Sequence, residues 1–332
     1  MNLSYLHVVS MKPIGFRYFM APMAELTTPA YRKTLRSLSP TVVLATEMIS
    51  AGGFLSGAHF NDPFIQKLPG DDPIIYQLAG NDANKMSAAA ELIQEKEPYS
   101  IDINMGCPAP AIVKKGWGSK LLLDKDNAIE IVRQCRKKIT HSRLSVKMRS
   151  GYDNSDPQEM LSFGKRLEDE GVDFITLHPR HARLYFTRNA DWKLIKLLHE
   201  NLSIPVIGNG DITSPEAAQS YLNNNYCNGI MIGREALRSP WIFSLLEKKS
   251  DETMEFNQED IYIDFINNIG TMLPRELHKS RAHRMVFYFS QNLTFGHNLM
   301  TSIRQESTID PILSLIHEYF YNHPSERIKT FI

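Results

Sequence analysis

The chain has 332 residues, 42% apolar and 22% charged, and its 37 Lys+Arg match its 37 Asp+Glu for a formal net charge of zero. That length holds one large domain or a large and a small one. The neutral balance excludes a globally basic nucleic-acid-coating protein and an acidic disordered tail, and leaves room for a local basic patch.

Three cysteines, Cys107, Cys135 and Cys227, build neither a disulfide framework nor a zinc ribbon. The expected setting is therefore a reducing cytoplasm with no metal site. No apolar run reaches the roughly 18 residues that a membrane helix requires. The opening MNLSYLHVVSMKPIG lacks a signal-peptide pattern; with Met11 as an alternative start, residues 1–14 read as a dispensable leader.

In chain order, short β-branched runs at 16–23, 42–48, 73–78, 100–105, 144–148, 174–178, 205–208 and 229–233 read as strands. Between them, stretches at 83–96, 127–138, 157–170, 192–200 and 215–223 read as amphipathic helices. In the first of these, Met86, Ala89, Ala90 and Ile93 share one face. Ser214-Pro215 and Ser239-Pro240 each carry the pattern of an N-cap followed by Pro at the first helical position. The interval 49–72 is the least helical. Eight strands with intervening helices predict an α/β fold, a TIM (β/α)8 barrel over 15–246. A doubly wound sheet would carry a glycine-rich fingerprint after its first strand, and no GxGxxG occurs here.

Residues 247–258 (EKKSDETMEFNQ) read as a linker. Beyond it the strand signal vanishes, and 261–272, 277–292 and 311–320 predict a small all-α domain at 259–332. Such a domain is too small to bury much core by itself, so it is expected to pack on the barrel.

Barrels of this kind place their chemistry at the C-terminal strand ends. Those ends read Pro22-Met23-Ala24, Glu47, Gln77, Asn104 to Cys107, Lys147 to Arg149, His178 to Arg180, Asn209-Gly210-Asp211 and Gly233-Arg234. Polar groups there cost free energy unless paired, so the set reads as a ligand-binding mouth. The Asn209-Gly210-Asp211 turn runs into the helix at Ser214-Pro215, and Gly233-Arg234 repeats the idea one strand later. Turn N–H groups with a helix behind them and an Arg fork make an anion site, which suits a phosphorylated ligand such as flavin mononucleotide. Lys147 places a cation beside such a ring, and Gln77 offers a donor and an acceptor to a heterocycle edge. Cys135 and Cys227 read as packing residues. Cys107, flanked by Gly106 and Pro108 on a strand-end loop, reads as a thiol facing the mouth, either a general acid or a nucleophile.

These segments resemble the tRNA-dihydrouridine synthases, flavin barrel enzymes that reduce uridine in tRNA. The resemblance rests on Met20-Ala21-Pro22-Met23-Ala24, Asp102-Ile103-Asn104-Met105-Gly106-Cys107-Pro108 and Lys114-Lys115-Gly116-Trp117-Gly118-Ser119. It continues through Val146-Lys147-Met148-Arg149-Ser150-Gly151, His178-Pro179-Arg180, Ile207-Gly208-Asn209-Gly210-Asp211-Ile212 and Met231-Ile232-Gly233-Arg234. It implies an oxidoreductase in which NADPH reduces FMN, the flavin passes hydride to uracil C6, and Cys107 protonates C5. It also implies that Pro22, Met23, Ala24, Gln77 and Lys147 contact the flavin, and His178 the flavin or the substrate base. Asn209, Gly210, Asp211, Gly233 and Arg234 would clamp its phosphate and ribitol, with Asn104 near flavin or uracil. One segment departs from the family pattern: His181 stands where Thr is usual, and Arg188-Asn189 fills a glycine region, while Tyr185, Ala190 and Trp192 keep the theme.

A uridine in folded tRNA must be flipped out to react, which calls for phosphate contacts over a wide surface. Between 273 and 304, Arg275, Lys279, Arg281, Arg284 and Arg304 face only Glu276, with Phe287, Tyr288, Phe289 and Phe295 interleaved. That stretch reads as a tRNA-docking face, with Arg281 and Arg284 on substrate; Lys114, Lys115 and Arg180 are expected to add contacts at the mouth. The expected protein is a cytoplasmic monomer. The alternatives are a flavin barrel acting on a free small molecule, of the dihydropyrimidine or dihydroorotate dehydrogenase kind, and an RNA-binding protein with an inactive barrel. The first leaves the basic helices idle; the second leaves Cys107 and Lys147 unexplained.

Overall fold

Strands separated by helical crossovers pair in parallel, and eight of them do so here. The computed structural model describes residues 14–57, 62–185, 187–249 and 251–332. The strands are β1 (Tyr18–Met20), β2 (Leu44–Ser50), β3 (Ile74–Ala79), β4 (Ser100–Met105), β5 (Arg143–Arg149), β6 (Phe174–His178), β7 (Val206–Asn209) and β8 (Gly229–Ile232). They form one sheet in the order β1-β8-β7-β6-β5-β4-β3-β2. Met20 N–H donates to Val43 O at 2.9 Å and Val43 N–H to Tyr18 O at 3.0 Å, which joins β1 to the approach to β2 and brings the sheet round into a barrel. The first strand is shorter than the run 16–23 because the chain turns away after Ala21, where Pro22 has no N–H to offer. The expected leader at 1–14 lies, Ile14 apart, outside the described residues.

The helices are α1 (Pro29–Leu38), α2 (Ala51–Leu55), α3 (Ala83–Ile93), α4 (Pro110–Val113), α5 (Lys125–Lys138), α6 (Pro157–Asp169), α7 (Trp192–Asn201) and α8 (Pro215–Asn223). After β8 come α9 (Arg234–Arg238), α10 (Ile242–Glu247), α11 (Gln258–Met272), α12 (Arg275–Phe289), α13 (Gly296–Ile303) and α14 (Ile309–Asn322). Ser214 caps α8 as its sequence predicts, its hydroxyl accepting from Ala217 N–H at 3.2 Å. Ser239 does not cap α10. Its hydroxyl donates to Glu235 Oε1 at 2.9 Å, so Ser239-Pro240 ends α9 instead. The interval 49–72, read as least helical, holds only α2 as a helix among its described residues; 58–61 lie outside them. Phe19, Tyr99 and Phe174 cluster at the N-terminal end of the strands, with ring centroids 6.0–6.3 Å apart. Strand ends at the opposite rim are thereby left for the site.

The C-terminal region is helical and packs on the barrel through α11 against α1. Tyr31 and Phe265 meet edge to face at 6.1 Å, and buried Asn268 donates to Thr34 Oγ1 at 3.0 Å while accepting from Lys33 Nζ at 2.9 Å. The run 247–258, read as linker, contains a short strand, β9 (Met254–Asn257), which pairs antiparallel with β10 (Ile328–Phe331). Four residues show too little alternation to register in the sequence. What holds the ribbon is long-range: Phe256 stacks on Trp241 at 5.7 Å and packs on Phe331 at 6.0 Å. No helix among the described residues is long and apolar enough to cross a membrane.

Candidate active site

The C-terminal ends of the barrel strands open into a cleft of about 610 Å³, roofed on one side by α12. Every cofactor-binding and catalytic position expected from the sequence lines it: Pro22, Met23, Ala24, Gln77, Cys107, Lys147, His178, Asn209, Gly210, Asp211, Gly233 and Arg234, together with Asn104 and Arg180. Arg149, Arg238, Phe287, Tyr288 and Gln291 line it too. The last three come from α12 and the turn after it, a neighbourhood that only the packed structure reveals.

A continuous hydrogen-bonded row crosses the floor. Ser145 Oγ donates to Asp102 Oδ1 at 2.7 Å, Gln77 Nε2 donates to Asp102 Oδ2 at 2.8 Å, and Asn104 Nδ2 donates to Gln77 Oε1 at 2.7 Å. Asn104 Oδ1 then accepts the backbone N–H of Gly106 at 3.1 Å and of Cys107 at 2.9 Å. Period-two alternation puts Asp102 and Asn104 on the same face of β4. Gln77 and Ser145 are register partners of Asp102 on the flanking strands. Burial pushes the Asp102 carboxyl up to about 6, against the hydrogen bonds from Gln77 and Ser145 and the charge of Lys147.

Cys107 is partly exposed, whereas Cys135 and Cys227 are buried, where desolvation pushes both thiols up to about 12. The loop carrying Cys107 is held from behind as well. Ser119 N–H and Oγ both donate to Cys107 O at 3.0 Å. Gly118 adopts φ 62°, and a Cβ there would lie 2.6 Å from that same oxygen, which explains glycine at this point of the Lys-Lys-Gly-Trp-Gly-Ser segment. Arg149 donates to Gly106 O at 3.1 Å and to His181 O and Tyr185 O at 3.1 Å each. It therefore ties the cysteine loop to the segment that departs from the family pattern. In that segment Ala190 N–H donates to Asp211 Oδ2 at 2.8 Å and Trp192 Nε1 to Gly210 O at 3.0 Å.

The neighbouring strand ends of the same floor are cationic. Lys147 Nζ donates to Asn209 Oδ1 at 3.0 Å, and Asn209 Nδ2 donates to Met231 O at 2.8 Å. Burial lowers the Lys147 ammonium to about 8, Asp102 opposing that fall and Arg149 adding to it. Burial, followed by the charges of Lys147, Arg149, Arg180 and Arg234, pushes His178 down to about 2. His178 is therefore neutral. Its Nε2 lies 3.0 Å from Arg180 Nη1, and because guanidinium only donates, that nitrogen accepts and Nδ1 carries the proton. Asp211 pairs with Arg180 and, at 3.5 Å, with Arg234. Burial works to raise its carboxyl, but the hydrogen bonds from Arg180 and Ala190 and the two guanidinium charges hold it below the usual range. An acidic side chain does not itself hold a phosphate; Asp211 organises the two arginines around the turn.

The expected substrate contacts divide. Asn104 and Arg180 lie in the cleft, whereas Lys114, Lys115, Arg281 and Arg284 do not line it. Lys115 sits over the Trp117 ring at 4.8 Å, on the outer rim beside the cysteine loop. Arg281 and Arg284 both pair with Glu25, Arg281 at 3.8 Å. Glu25 directly follows the Pro22-Met23-Ala24 wall, and its N–H donates to Glu47 Oε2 at 2.6 Å. Burial raises the Glu47 carboxyl, opposed by that hydrogen bond and by Arg281. The two arginines, expected as substrate contacts, thus latch α12 to the cleft wall. Sequence reasoning missed Glu25 because its partners lie some 250 residues away. It passed over Asp102 although the motif containing it was in hand; an Asp inside an apolar strand was the available signal.

The family model described as dihydrouridine synthase matches residues 19–308. The chain is 35% identical over 246 residues to the "tRNA-dihydrouridine synthase B" of Pasteurella multocida, covering 70% of this chain and 71% of that one. It is 34% identical to the protein of the same name in Pseudomonas putida, covering 69% and 67%, and 30% identical to a "probable tRNA-dihydrouridine synthase" of Helicobacter pylori J99, covering 76% of each. Among solved structures it is similar in fold to a 2-naphthoyl-CoA reductase (TM-score 0.52, 10% identity, 69% of this chain). A 6-hydroxypseudooxynicotine amine oxidase from Pseudomonas geniculata is comparable (TM-score 0.53, 11% identity, 70% of this chain). The chain spans about half the length of each of these two.

Proposed function

The chain belongs to the dihydrouridine synthase family, and from that premise we propose that its cleft reduces the C5–C6 double bond of uridines in tRNA, with FMN as the resident cofactor and NADPH as reductant. The observation that carries this reading is the convergence of Cys107, Lys147 and the Gly210 turn on one cleft. The residues present fit an FMN-sized ligand. A cleft of about 610 Å³ is of the size that holds such molecules, and its donor set suits a ring with carbonyl edges and an anionic tail.

When bound, the flavin supplies the hydride for uracil C6. Gln77 and Lys147 hold the ring edge, the Lys147 charge favouring electron uptake. Pro22, Met23 and Ala24 wall the ring, and His178, neutral, offers contact without adding charge. Gly210, Gly233 and Arg234 receive the phosphate end, with Asp211 orienting Arg234. Cys107 donates its proton to uracil C5 as C6 takes the hydride, and the thiolate left behind is reprotonated from water. Asn104 holds the loop that aims the thiol. In this reading the barrel at 15–246 does the chemistry, and the helical region from 259 onward holds the tRNA, with the protein a monomer in the cytoplasm.

Cys107→Ala tests the assignment. It is expected to keep flavin and NADPH oxidation while dihydrouridine formation falls by at least about 100-fold, the scale of a lost general acid. Dihydrouridine is measured by mass spectrometry of tRNA from a deletion strain carrying the variant. Undiminished dihydrouridine would remove Cys107 from the mechanism. Salt-insensitive binding of tRNA, or none, would favour a free small-molecule substrate instead.

A further inference from the structure

The reaction as proposed leaves unused a buried carboxylate beneath the cleft floor. Asp102 is 3% exposed and sits at the head of the hydrogen-bonded row that ends on the Cys107 loop. An ionised carboxylate only accepts. That requires the Gln77 NH₂ to face Asp102, which turns Gln77 Oε1 toward Asn104. Asn104 must then point its NH₂ at Gln77 and its Oδ1 at the N–H groups of Gly106 and Cys107. Each bond is present in that direction, at 2.7–3.1 Å. Ser145, itself receiving a hydrogen bond from Ser100 Oγ at 2.9 Å, fills the other carboxylate oxygen. At the other end the N–H groups of Gly106 and Cys107 only donate and so hold Asn104 Oδ1 toward them. The carboxylate and the loop N–H groups thus fix the two amides from opposite ends, an amide by itself being able to lie either way round. The second N–H of Gln77 and of Asn104 is left to a ligand, so both amides serve as donors to a carbonyl-bearing ring.

We propose that Asp102 is a positioning residue whose carboxylate, acting with the loop N–H groups at the other end of the row, fixes the hydrogen-bond polarity of the cleft floor, aiming the Gln77 and Asn104 donors at the bound rings and holding the Cys107 loop through Asn104. Its effect on turnover rests on the proposed reaction; the polarity of the row does not.

Asp102→Asn keeps size and removes the acceptor-only character. An Asn there turns either its Oδ1 or its NH₂ to Gln77. In the second arrangement Gln77 turns over and its NH₂ meets that of Asn104, which the loop N–H groups hold by its Oδ1, so the row loses its single direction and the loop is held less firmly. Two readouts follow. Alkylation of Cys107 in the flavin-free protein, where Cys135 and Cys227 are buried, is expected to accelerate at least fivefold. The visible spectrum of bound flavin is expected to shift, with tRNA-dependent flavin oxidation falling at least about 30-fold.

The double variant Asp102→Asn, Gln77→Glu restores one direction, since the carboxylate introduced at position 77 accepts from both neighbours. It is expected to return Cys107 alkylation to within twofold of wild type without restoring flavin affinity, because the Gln77 donor is gone. A buried carboxylate with a merely structural role would not be rescued by a second substitution that moves the charge. Unchanged alkylation and spectrum in Asp102→Asn, or a double variant no better than the single one, overturns the proposal. Should Asp102→Asn not fold, Gln77→Met breaks the same row above Asp102, and an unchanged alkylation rate there overturns it equally. A wild-type protein that makes no dihydrouridine would defeat the proposed reaction while leaving the alkylation results to decide the polarity.

Discussion

The two walls of the cleft are built on different principles. On the barrel side, Gln77, Asp102 and Asn104 are 1%, 3% and 7% exposed and joined in a single row. On the α12 side, Phe287 is 45% exposed, and Arg284, its side chain 54% exposed, holds Glu25 across the rim. Buried polar groups must be paired or cost several kcal/mol, so the floor admits one arrangement. Exposed ion pairs contribute little and are screened by salt, so the roof tolerates change. The difference teaches where to expect rigid and where adjustable structure: the paired polar groups of the floor stand on strands, and the roof is attached through half-exposed contacts.

The sharpest test of the floor is its cation. Lys147→Ala is expected to slow reduction of bound flavin by NADPH by about 100-fold, the scale of one lost electrostatic contact at a developing charge, as read by stopped-flow absorbance. Since burial lowers this ammonium to about 8, it is charged below that pH and neutral above it. The wild-type rate should therefore fall as pH rises through about 8. Lys147→Arg keeps its charge and should hold its rate to higher pH. A flat profile for both would show that the floor does not depend on this charge.

Gly210 tests the same wall through its backbone. It adopts φ 131°, and a Cβ would lie 2.9 Å from Ala190 Cβ and 3.1 Å from His178 Cδ2. Gly210→Ala is expected to lose about 2 kcal/mol of stability, measured by denaturant unfolding of the flavin-free protein. An unchanged midpoint would mean that the turn yields, and that this wall is no more rigid than the roof.

How far each wall was legible follows from the same contrast. Strand-end chemistry can be read locally, because a Gln, Asn, Lys or His closing an apolar run is anomalous where it stands, and the barrel then gathers all of them at one rim. Asp102 was equally anomalous but lies two residues below the rim; its importance emerges only when Gln77 and Ser145 are seen in register with it. The setting of the α12 cations is tertiary. Counted within 273–304 they face only Glu276, yet Glu25, distant in sequence, lies against two of them. The ribbon of β9 and β10 escaped for lack of length, its stability coming from the packing of Phe256 and Phe331 on Trp241 rather than from its own alternation.

That pairing becomes a measurement. If the arginines at 281 and 284 are occupied by Glu25, removing them should leave the salt dependence of tRNA binding nearly unchanged. Lys114 and Lys115, exposed beside the cysteine loop, should behave otherwise. Lys114→Ala with Lys115→Ala is expected to weaken tRNA binding by about tenfold at low salt and to reduce the slope of log K against log salt by about 1 to 2. Equal slope changes for the two pairs would erase the distinction between latch and docking surface.

Glu25 itself separates the strength of the latch from the strain that positions it. It is a non-glycine residue at φ 65°, a conformation that costs an L-residue about 1–2 kcal/mol. Its carboxylate is 42% exposed, so the pairs it makes contribute at most about 1 kcal/mol after screening. Glu25→Ala removes the pairs and keeps the strained backbone, whereas Glu25→Gly removes the pairs and relieves it. The glycine variant should therefore unfold at a higher denaturant concentration than the alanine variant, the gap being about 1 kcal/mol. Glu25→Ala should also narrow its deficit to wild type as salt rises, because only the ion pairs are screened. If alanine and glycine were equal, the positive φ would carry no cost here, and the wall beside the flavin site would be shaped by Glu25's carboxylate alone.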